Sequence, residues 1–132
     1  MVDDDNVEEW FRRYFKVFST LDLEAILPHY HTPMIVVVPG GVIGINSEDD
    51  LRNTFSLILS QYSLAGYGRS EILDLESRSL GQELAEVGGV AVRYDSEGAE
   101  FNRFEFRYVM RKDGADWRIA AMVNGDPIPP SS

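Results

Sequence analysis

The amino-acid sequence predicts an α+β domain in which a strongly curved antiparallel sheet wraps around N-terminal helices. Apolar residues recur mainly at helical spacing in the first half of the chain and at strand spacing in the second half. At 132 residues the chain is long enough to bury one core. We therefore expect a single domain over residues 1–126, followed by a flexible Pro/Ser tail over residues 127–132.

Three amphipathic helices are expected before residue 66. The first carries a wide apolar stripe that begins at Val7 and ends at Phe18. A short second helix is expected to follow, with Leu23 and Tyr30 on its apolar side, and to end near the turn HYHTP. The third begins after Ser47, a good capping residue that is followed by three acids, and ends before Gly66.

Strands fill the remaining sequence. The apolar run Met34–Val38 ends at a Pro-Gly-Gly turn and predicts a buried strand, with a short partner at Val42–Ile45. Four longer strands with tight connections then predict an antiparallel meander. They are Ser70–Leu80, Glu83–Tyr94, Glu100–Lys112 and Asp116–Asn124.

Composition excludes several classes of function. A net charge of −10 and a pI near 4.5 oppose binding to nucleic acid or to anionic lipid. The sequence has no apolar run of the roughly 18 residues that a membrane span needs. It also has no cysteine, which excludes disulfides and thiolate chemistry. Because the acidic start MVDDDNVEEW is unlike a secretory signal, we expect a cytoplasmic protein.

Residues 101–111 alternate between two kinds of side chain, which leaves two interpretations of their strand. Either the aromatic face packs in the core and the charges face water, or the charges line a pocket and the aromatic face packs against another subunit. The aromatic face consists of Phe104, Phe106, Tyr108 and Met110, and the charged face of Arg103, Glu105 and Arg107.

The segment DLEAILPHYH before a strand and the ending RYVMRKDGADWRIAAM resemble the nuclear transport factor 2-like superfamily. This superfamily includes SnoaL-like proteins and ketosteroid isomerases. The opening WF-x-x-Y and the segment GYGRSEILDLE are most similar to a bacterial family of unassigned function. The resemblance implies a cone-shaped domain with a pocket inside the curved sheet, and often a dimer through the outer sheet surface.

The resemblance does not carry a known reaction with it. The isomerases use a carboxylate base, a tyrosine and a protonated acid. In this chain those positions fall at Val38, Tyr14 and the neighbourhood of Arg107. The positions that the related epoxide hydrolases require are also occupied by residues that cannot activate water. Neither reaction is therefore expected.

Alignment with both groups of enzymes places the charged face of residues 101–111 on the concave side of the sheet. Two arginines and one glutamate leave one positive charge over, which would suit a carboxylate, phosphate or enolate. We therefore expect a pocket for a small, partly apolar and anionic molecule. The expected ligand-binding residues are Tyr14, Val36, Val38, Phe55, Arg103, Glu105, Arg107, Met122 and Asn124.

Two alternatives remain open at this stage. One is a SnoaL-like enzyme of isomerase, cyclase or hydrolase type in which Glu105 or His31 moves a proton. The other is a structural dimerisation module without a ligand. His29 and His31 have no third ligand near them in sequence, and no nucleotide or phosphate-loop motif is present, so neither a metal nor a cofactor is expected.

The placement of the charges also predicts how the chain assembles. If Arg103 and Arg107 face inward, then the aromatic face of their strand lies on the outer sheet surface, joined by Trp117 and Ile119. Such an apolar patch exceeds what a monomer usually exposes. We therefore expect a homodimer through Phe104, Phe106, Tyr108 and Met110.

Overall fold

The computed structural model describes residues 3–128, with side chains from Val7 onward. Its elements follow the predicted order of helices and then a meander. The helices are α1 (Asp3–Phe18), α2 (Leu23–Ile26) and α3 (Glu48–Leu64), and a 3-10 turn covers Leu27–His29. The strands are β1 (Tyr30–Val38), β2 (Gly41–Ile45), β3 (Tyr67–Ser79), β4 (Leu84–Asp95), β5 (Glu100–Asp113) and β6 (Asp116–Pro127).

The six strands form one curved, unclosed sheet in the order β2-β1-β6-β5-β4-β3. The meander from β3 to β6 is antiparallel throughout, which confirms the predicted α+β fold class. β1 joins this meander by pairing in parallel with β6, and β2 pairs with β1 as an antiparallel hairpin. The first strand is thus placed beside the last strand, and the helices cover the inner face of the sheet.

Helix α1 fills the concave side of the sheet with its aromatic stripe. The ring of Phe11 stacks on that of Phe106 with centroids 5.4 Å apart and meets Tyr108 edge-on at 5.2 Å. Both Phe11 and Phe106 are fully buried. Aromatic pairs of this kind contribute about 0.5–1.5 kcal/mol each beyond the burial of their surface. The apolar stripe of α1 therefore packs against the aromatic face of β5.

The placement of the charged face of β5 on the concave side was wrong. Phe104, Phe106, Tyr108 and Met110 are buried against α1, whereas Glu105 and Arg107 lie on the outer face and are exposed. Arg103 shares that outer face and pairs with Glu100 there. The physical reason is the apolar stripe of α1, which leaves the concave side no partner for a row of ionised groups.

The predicted dimer surface was wrong for the same reason. Its four β5 residues are core residues of one chain, and Trp117 and Ile119 of β6 are buried with them. A surface that is already covered within the monomer cannot also be covered by a second copy. The outer face of the sheet carries a different set of apolar residues, among them Ile35, Val109 and Val123.

Two smaller predictions also differ from the structure. Tyr30 begins β1 and is not part of the second helix, because its backbone already pairs with Ile119 of β6. Pro127, expected in the loose tail, is the last residue of β6, and the amide of Ile128 donates to the carbonyl of Arg103 at 2.8 Å. The rest of the expected tail, residues 129–132, lies outside the described residues.

Candidate ligand cavity

A cavity of about 380 Å³ lies between α1, α3 and the inner face of the sheet. Binding sites for small molecules typically measure about 300–1,000 Å³ and have mostly apolar walls. Six of the nine residues expected to contact a ligand line this cavity. They are Tyr14, Val36, Val38, Phe55, Met122 and Asn124.

The apolar wall follows from the periods of β1 and α3. Val36 and Val38 are two residues apart on β1 and therefore face the same side. Phe55, Ile58 and Tyr62 recur at helical spacing on α3 and face the sheet. Ser47 fixes the start of α3, because its hydroxyl accepts a hydrogen bond from the amide of Asp50 at 3.1 Å.

A row of polar side chains crosses the other side of the cavity. Ser70 of β3 is the register partner of Arg93 of β4, which is in turn the partner of Asn102 of β5. All three residues line the cavity. Directly paired residues of neighbouring strands have Cβ atoms about 4.5–5.5 Å apart. A hydroxyl residue and an amide residue therefore stand on the two strands on either side of Arg93.

Arg93 is held in place without a carboxylate. Its Nη1 donates to the Oδ1 of Asn102 at 3.3 Å, and its guanidinium carbon lies 4.0 Å from the ring centroid of Phe104 and 5.0 Å from that of Tyr62. Among the side chains that the structure describes, no Asp or Glu forms an ion pair with Arg93. Among the described side chains, the cavity wall thus carries one positive charge that no acid neutralises.

A hydrogen-bonded tyrosine pair lies beside the apolar wall. The hydroxyls of Tyr14 on α1 and Tyr30 on β1 are joined directly, and both side chains are buried. Burial raises the pKa of Tyr14 well above its usual value, and the nearby Tyr30 raises it further. Burial raises the pKa of Tyr30 as well. Both phenols therefore stay protonated at any ordinary pH and can act only as neutral hydrogen-bonding groups.

The positive charge of Arg93 affects the pKa values of two further tyrosines of the cavity. Burial raises the pKa of Tyr108, and the positive charge of Arg93 and a hydrogen bond from the Asn124 side chain lower it in part. Burial likewise raises the pKa of Tyr62, with Arg93 again acting in the opposite direction. An anion in the cavity would therefore meet one cation and several neutral donors.

The three charged residues expected in the pocket do not line this cavity. Arg107 forms long ion pairs with Glu76 at 3.5 Å and with Glu105 at 3.9 Å on the outer sheet face. Arg103 binds Glu100 through two hydrogen bonds of 2.6 and 2.7 Å. Both arginines therefore form ion pairs that face water, as the other interpretation of β5 predicts, and exposed pairs of this kind add little stability.

His31 also lies outside the cavity. Its Nδ1–H donates to the carbonyl of Pro33 at 2.9 Å, and its Nε2 accepts from Arg111 at 3.3 Å. It borders a separate polar depression beside Arg52 and Arg118. Because both ring nitrogens are engaged and the cavity is elsewhere, His31 is not placed to act as a general base on a molecule bound there.

His29 lies within hydrogen-bonding distance of a backbone carbonyl at the end of the short helical segment. Its Nδ1 lies 3.1 Å from the carbonyl oxygen of Ile26. Burial lowers the pKa of His29, so the neutral ring is favoured near neutral pH. Among the described residues, no group of three His, Asp or Glu side chains is placed to hold a metal ion.

Sequence reasoning missed Arg93, although β4 carries a signal for it. Ala85, Val87 and Ala91 alternate along the strand and are buried on the inner face. Arg93 continues the same period of two and is therefore the first charged side chain on that face. The more conspicuous alternation of β5 instead predicted a site at Arg103 and Arg107, which face outward.

The family comparison agrees with this architecture. Residues 3–127 match the family model described as NTF2-like protein (DUF6841), and the chain belongs to this family. No curated protein matches the sequence significantly. A ligand-binding pocket is typical of the NTF2-like fold.

Solved structures show the same fold at low sequence identity. A cystatin-like protein of unknown function from Nostoc punctiforme is 15% identical, with 93% of this chain and 89% of that chain covered and a TM-score of 0.75. A putative calcium/calmodulin dependent protein kinase II association domain from Xanthomonas campestris is 17% identical, with 99% and 91% covered and a TM-score of 0.74. A ketosteroid isomerase-like protein from Erwinia carotovora atroseptica is 17% identical, with 89% of each chain covered and a TM-score of 0.62. At these identities the likeness concerns the fold and not an activity.

Within residues 3–128, no helix combines the length and the apolar character that crossing a bilayer requires.

Proposed function

We propose that the protein binds a small, partly apolar, anionic molecule in the cavity between α1, α3 and the sheet. The observation that carries this proposal is Arg93, a cation in the wall of an aromatic cavity with no carboxylate partner among the described side chains. The anionic anchor is therefore Arg93, and not Arg103 or Arg107 as the sequence pattern suggested.

The chemistry of the wall indicates what the molecule looks like. A guanidinium presents two parallel N–H groups that match a carboxylate. Ser70 and Asn102 flank that position and can add neutral hydrogen bonds. The remaining wall, which includes Val36, Phe55 and Met122, can cover an apolar body. A carboxylate with an aromatic or aliphatic body fits this combination.

Binding is better supported than proton transfer. Within residues 3–128, none of the side chains that line the cavity is an Asp, a Glu or a His. Glu105 and His31, the two candidates for moving a proton, both lie outside it. The tyrosines of the cavity stay protonated and lack the basicity that a general base needs.

Titration calorimetry with 3-phenylpropionate and with its neutral amide tests the proposal. A charge-assisted hydrogen bond contributes about 1.5–3 kcal/mol, so the acid should bind the native protein roughly 10- to 100-fold more tightly than the amide. Arg93→Met keeps an apolar stem of similar length and should abolish that preference. Arg107→Met, on the neighbouring strand but the opposite face, is the matched control and should preserve it. Equal binding of acid and amide by the native protein would contradict the proposal.

We also propose a homodimer, formed through the outer face of the sheet at a different place from the one expected. Val37 is the register partner of Val42 and of Val123, and Ile35 is the partner of Ala121. These residues point away from the buried Val36 and share one face. This outer apolar strip consists of Ile35, Val37, Val42, Val109, Ala121 and Val123.

The surroundings of the outer apolar strip favour a second copy of this chain as its cover. Charges of both signs border it, among them Glu105 and Arg107. A two-fold axis places each patch on its own image, so that apolar side chains meet and acids can face bases. The related fold from Xanthomonas campestris, whose name describes an association domain, adds support.

Light scattering on the native protein and two variants tests this dimer. The native protein should have twice the chain mass of 14.9 kDa. Val123→Glu should give a monomer, because it places a charge in the strip. Leu64→Glu changes an apolar side chain that is 86% exposed on α3, outside the strip, and should leave the dimer intact. A native monomer at micromolar concentration would exclude the proposed interface.

A further inference from the structure

A second unsatisfied group lies in the wall of the cavity, away from Arg93. The Oδ1 atom of Asn124 is buried and has no hydrogen-bond partner among the described residues. Asn124 itself lines the cavity. Buried polar atoms in folded proteins nearly always have a partner, so this amide oxygen beside an open cavity is available to accept a hydrogen bond from a bound molecule.

The position of Asn124 separates this group from the anion anchor. Asn124 is paired with Phe106 of β5, whereas Arg93 is paired with Asn102 of the same strand. The two register positions on β5 differ by four residues (106 − 102), or about 13 Å of backbone along a strand. The guanidinium of Arg93 leans over Phe104, so it lies nearer to Asn124 than this backbone spacing but at a different part of the wall. Arg93 and Asn124 therefore address different parts of a bound molecule.

We propose that the ligand of this cavity is a carboxylate with an apolar body that carries a hydrogen-bond donor, most simply a hydroxyl, at the end remote from its charge. The oxygen of Asn124 accepts from this donor. This inference rests on the proposed function, because it assumes that the carboxylate is held by Arg93.

The neighbours of Asn124 favour a hydroxyl over other donors. Tyr108 lines the cavity, and its phenol interacts with the Asn124 side chain. Tyr108 remains protonated and can therefore donate a hydrogen bond to the oxygen of a ligand hydroxyl. The same ligand hydroxyl can donate its hydrogen to the amide oxygen of Asn124. The last torsion of an asparagine side chain is soft, so a small rotation can present Oδ1 to the cavity. A ligand ammonium group at this place would be repelled by Arg93, whose positive charge already acts on the neighbouring Tyr108.

Three matched probes test the inference by titration calorimetry. They are 3-phenylpropionate, 3-(4-hydroxyphenyl)propionate and 3-(4-methoxyphenyl)propionate. The hydroxyl should strengthen binding to the native protein by about fivefold or more, as expected for one hydrogen bond. The methoxy compound has an acceptor but no donor and should lose this gain. Since these three measurements use the native protein, they do not depend on the folding of a variant.

Asn124→Leu, which keeps the size of the side chain, supplies the second arm. It should remove the advantage of the hydroxyl compound while 3-phenylpropionate binds at least as well as before. An equal gain in the native protein and in Asn124→Leu, or no gain in the native protein, would overturn the inference. If all three acids bind the native protein and Arg93→Met alike, the proposed function itself fails. Binding of none of them contradicts both.

Discussion

Replacing Phe106 by alanine should be far more damaging than replacing its neighbour Arg107, which tests which face of β5 forms the core. Phe106 is 1% exposed and contacts the rings of Phe11 and Tyr108 at 5.4 Å in each case. Phe-to-Ala substitutions in such surroundings cost about 3–5 kcal/mol, through lost burial and the cavity that remains. That is about a fifth or more of the stability of a typical domain, which is about 5–15 kcal/mol.

Arg107→Ala should lower the free energy of unfolding much less. Its side chain is 46% exposed, and its ion pairs with Glu76 and Glu105 are 3.5 and 3.9 Å long. Exposed ion pairs of this kind contribute about 0–1 kcal/mol. The two adjacent substitutions on one strand should therefore differ by at least about 2 kcal/mol.

Urea unfolding followed by circular dichroism measures the difference. Phe106→Ala should lower the midpoint by more than about 1 M, and Arg107→Ala should change it only slightly. The two variants are controls for each other, because they share the strand and the change to alanine. Equal midpoints, or a larger loss for Arg107→Ala, would refute the assignment of the aromatic face to the core and would place the charges inside.

Three further predictions concern packing and protonation. Gly89→Ala would place a Cβ atom 1.8 Å from a backbone oxygen of β3 and should lower the melting temperature strongly. Gly88→Ala meets the movable end of Arg107 at 2.9 Å and the backbone oxygen of Phe106 at 3.2 Å, so it should lower the melting temperature much less. Tyr14→Phe should cost about 1–3 kcal/mol in urea unfolding, because a buried hydroxyl loses its partner. Burial lowers the pKa of His29 in the folded state, so the unfolded state takes up the proton first below about pH 6.5. Stability should therefore fall as the pH is lowered through that region, and His29→Gln should weaken this fall; an unchanged pH profile would contradict it.

Much of the fold could be predicted from local patterns. The helical spacing of α1 and the alternation of the late strands depend on period alone, and both predictions are confirmed by the structure. The cap at Ser47 also follows from local chemistry. The parallel pairing of β1 with β6 could not be predicted in this way, because it joins segments about 85 residues apart and leaves no local signature.

The face of β5 shows why the candidate site was harder to predict. Alternation shows that the two faces of a strand differ, but it does not show which one is buried. The aromatic stripe of α1, with Phe11 at its centre, decides the matter by packing on Phe106. That contact links two segments 95 residues apart (106 − 11), so it was visible only as two separate patterns. The apolar half of the cavity could be predicted, because the side on which Val36 and Phe55 lie follows from the period of their own strand and helix.

Arg93 was missed for a related reason. A single charged residue after a row of alternating buried residues usually indicates that the strand leaves the core at that position. Its significance depends on partners from neighbouring strands, namely Asn102, Phe104 and Ser70. It also depends on there being no acid beside it among the described side chains, and this is a property of three-dimensional packing rather than of spacing.

A crystal structure of the protein soaked with 3-phenylpropionate would test the central claim most directly. The carboxylate should lie about 2.7–2.9 Å from the guanidinium nitrogens of Arg93, with the phenyl ring against the wall formed by Phe55 and Met122. An empty cavity at saturating probe, or a carboxylate held only by Arg107 on the outer face, would contradict the assignment of Arg93 as the anion anchor.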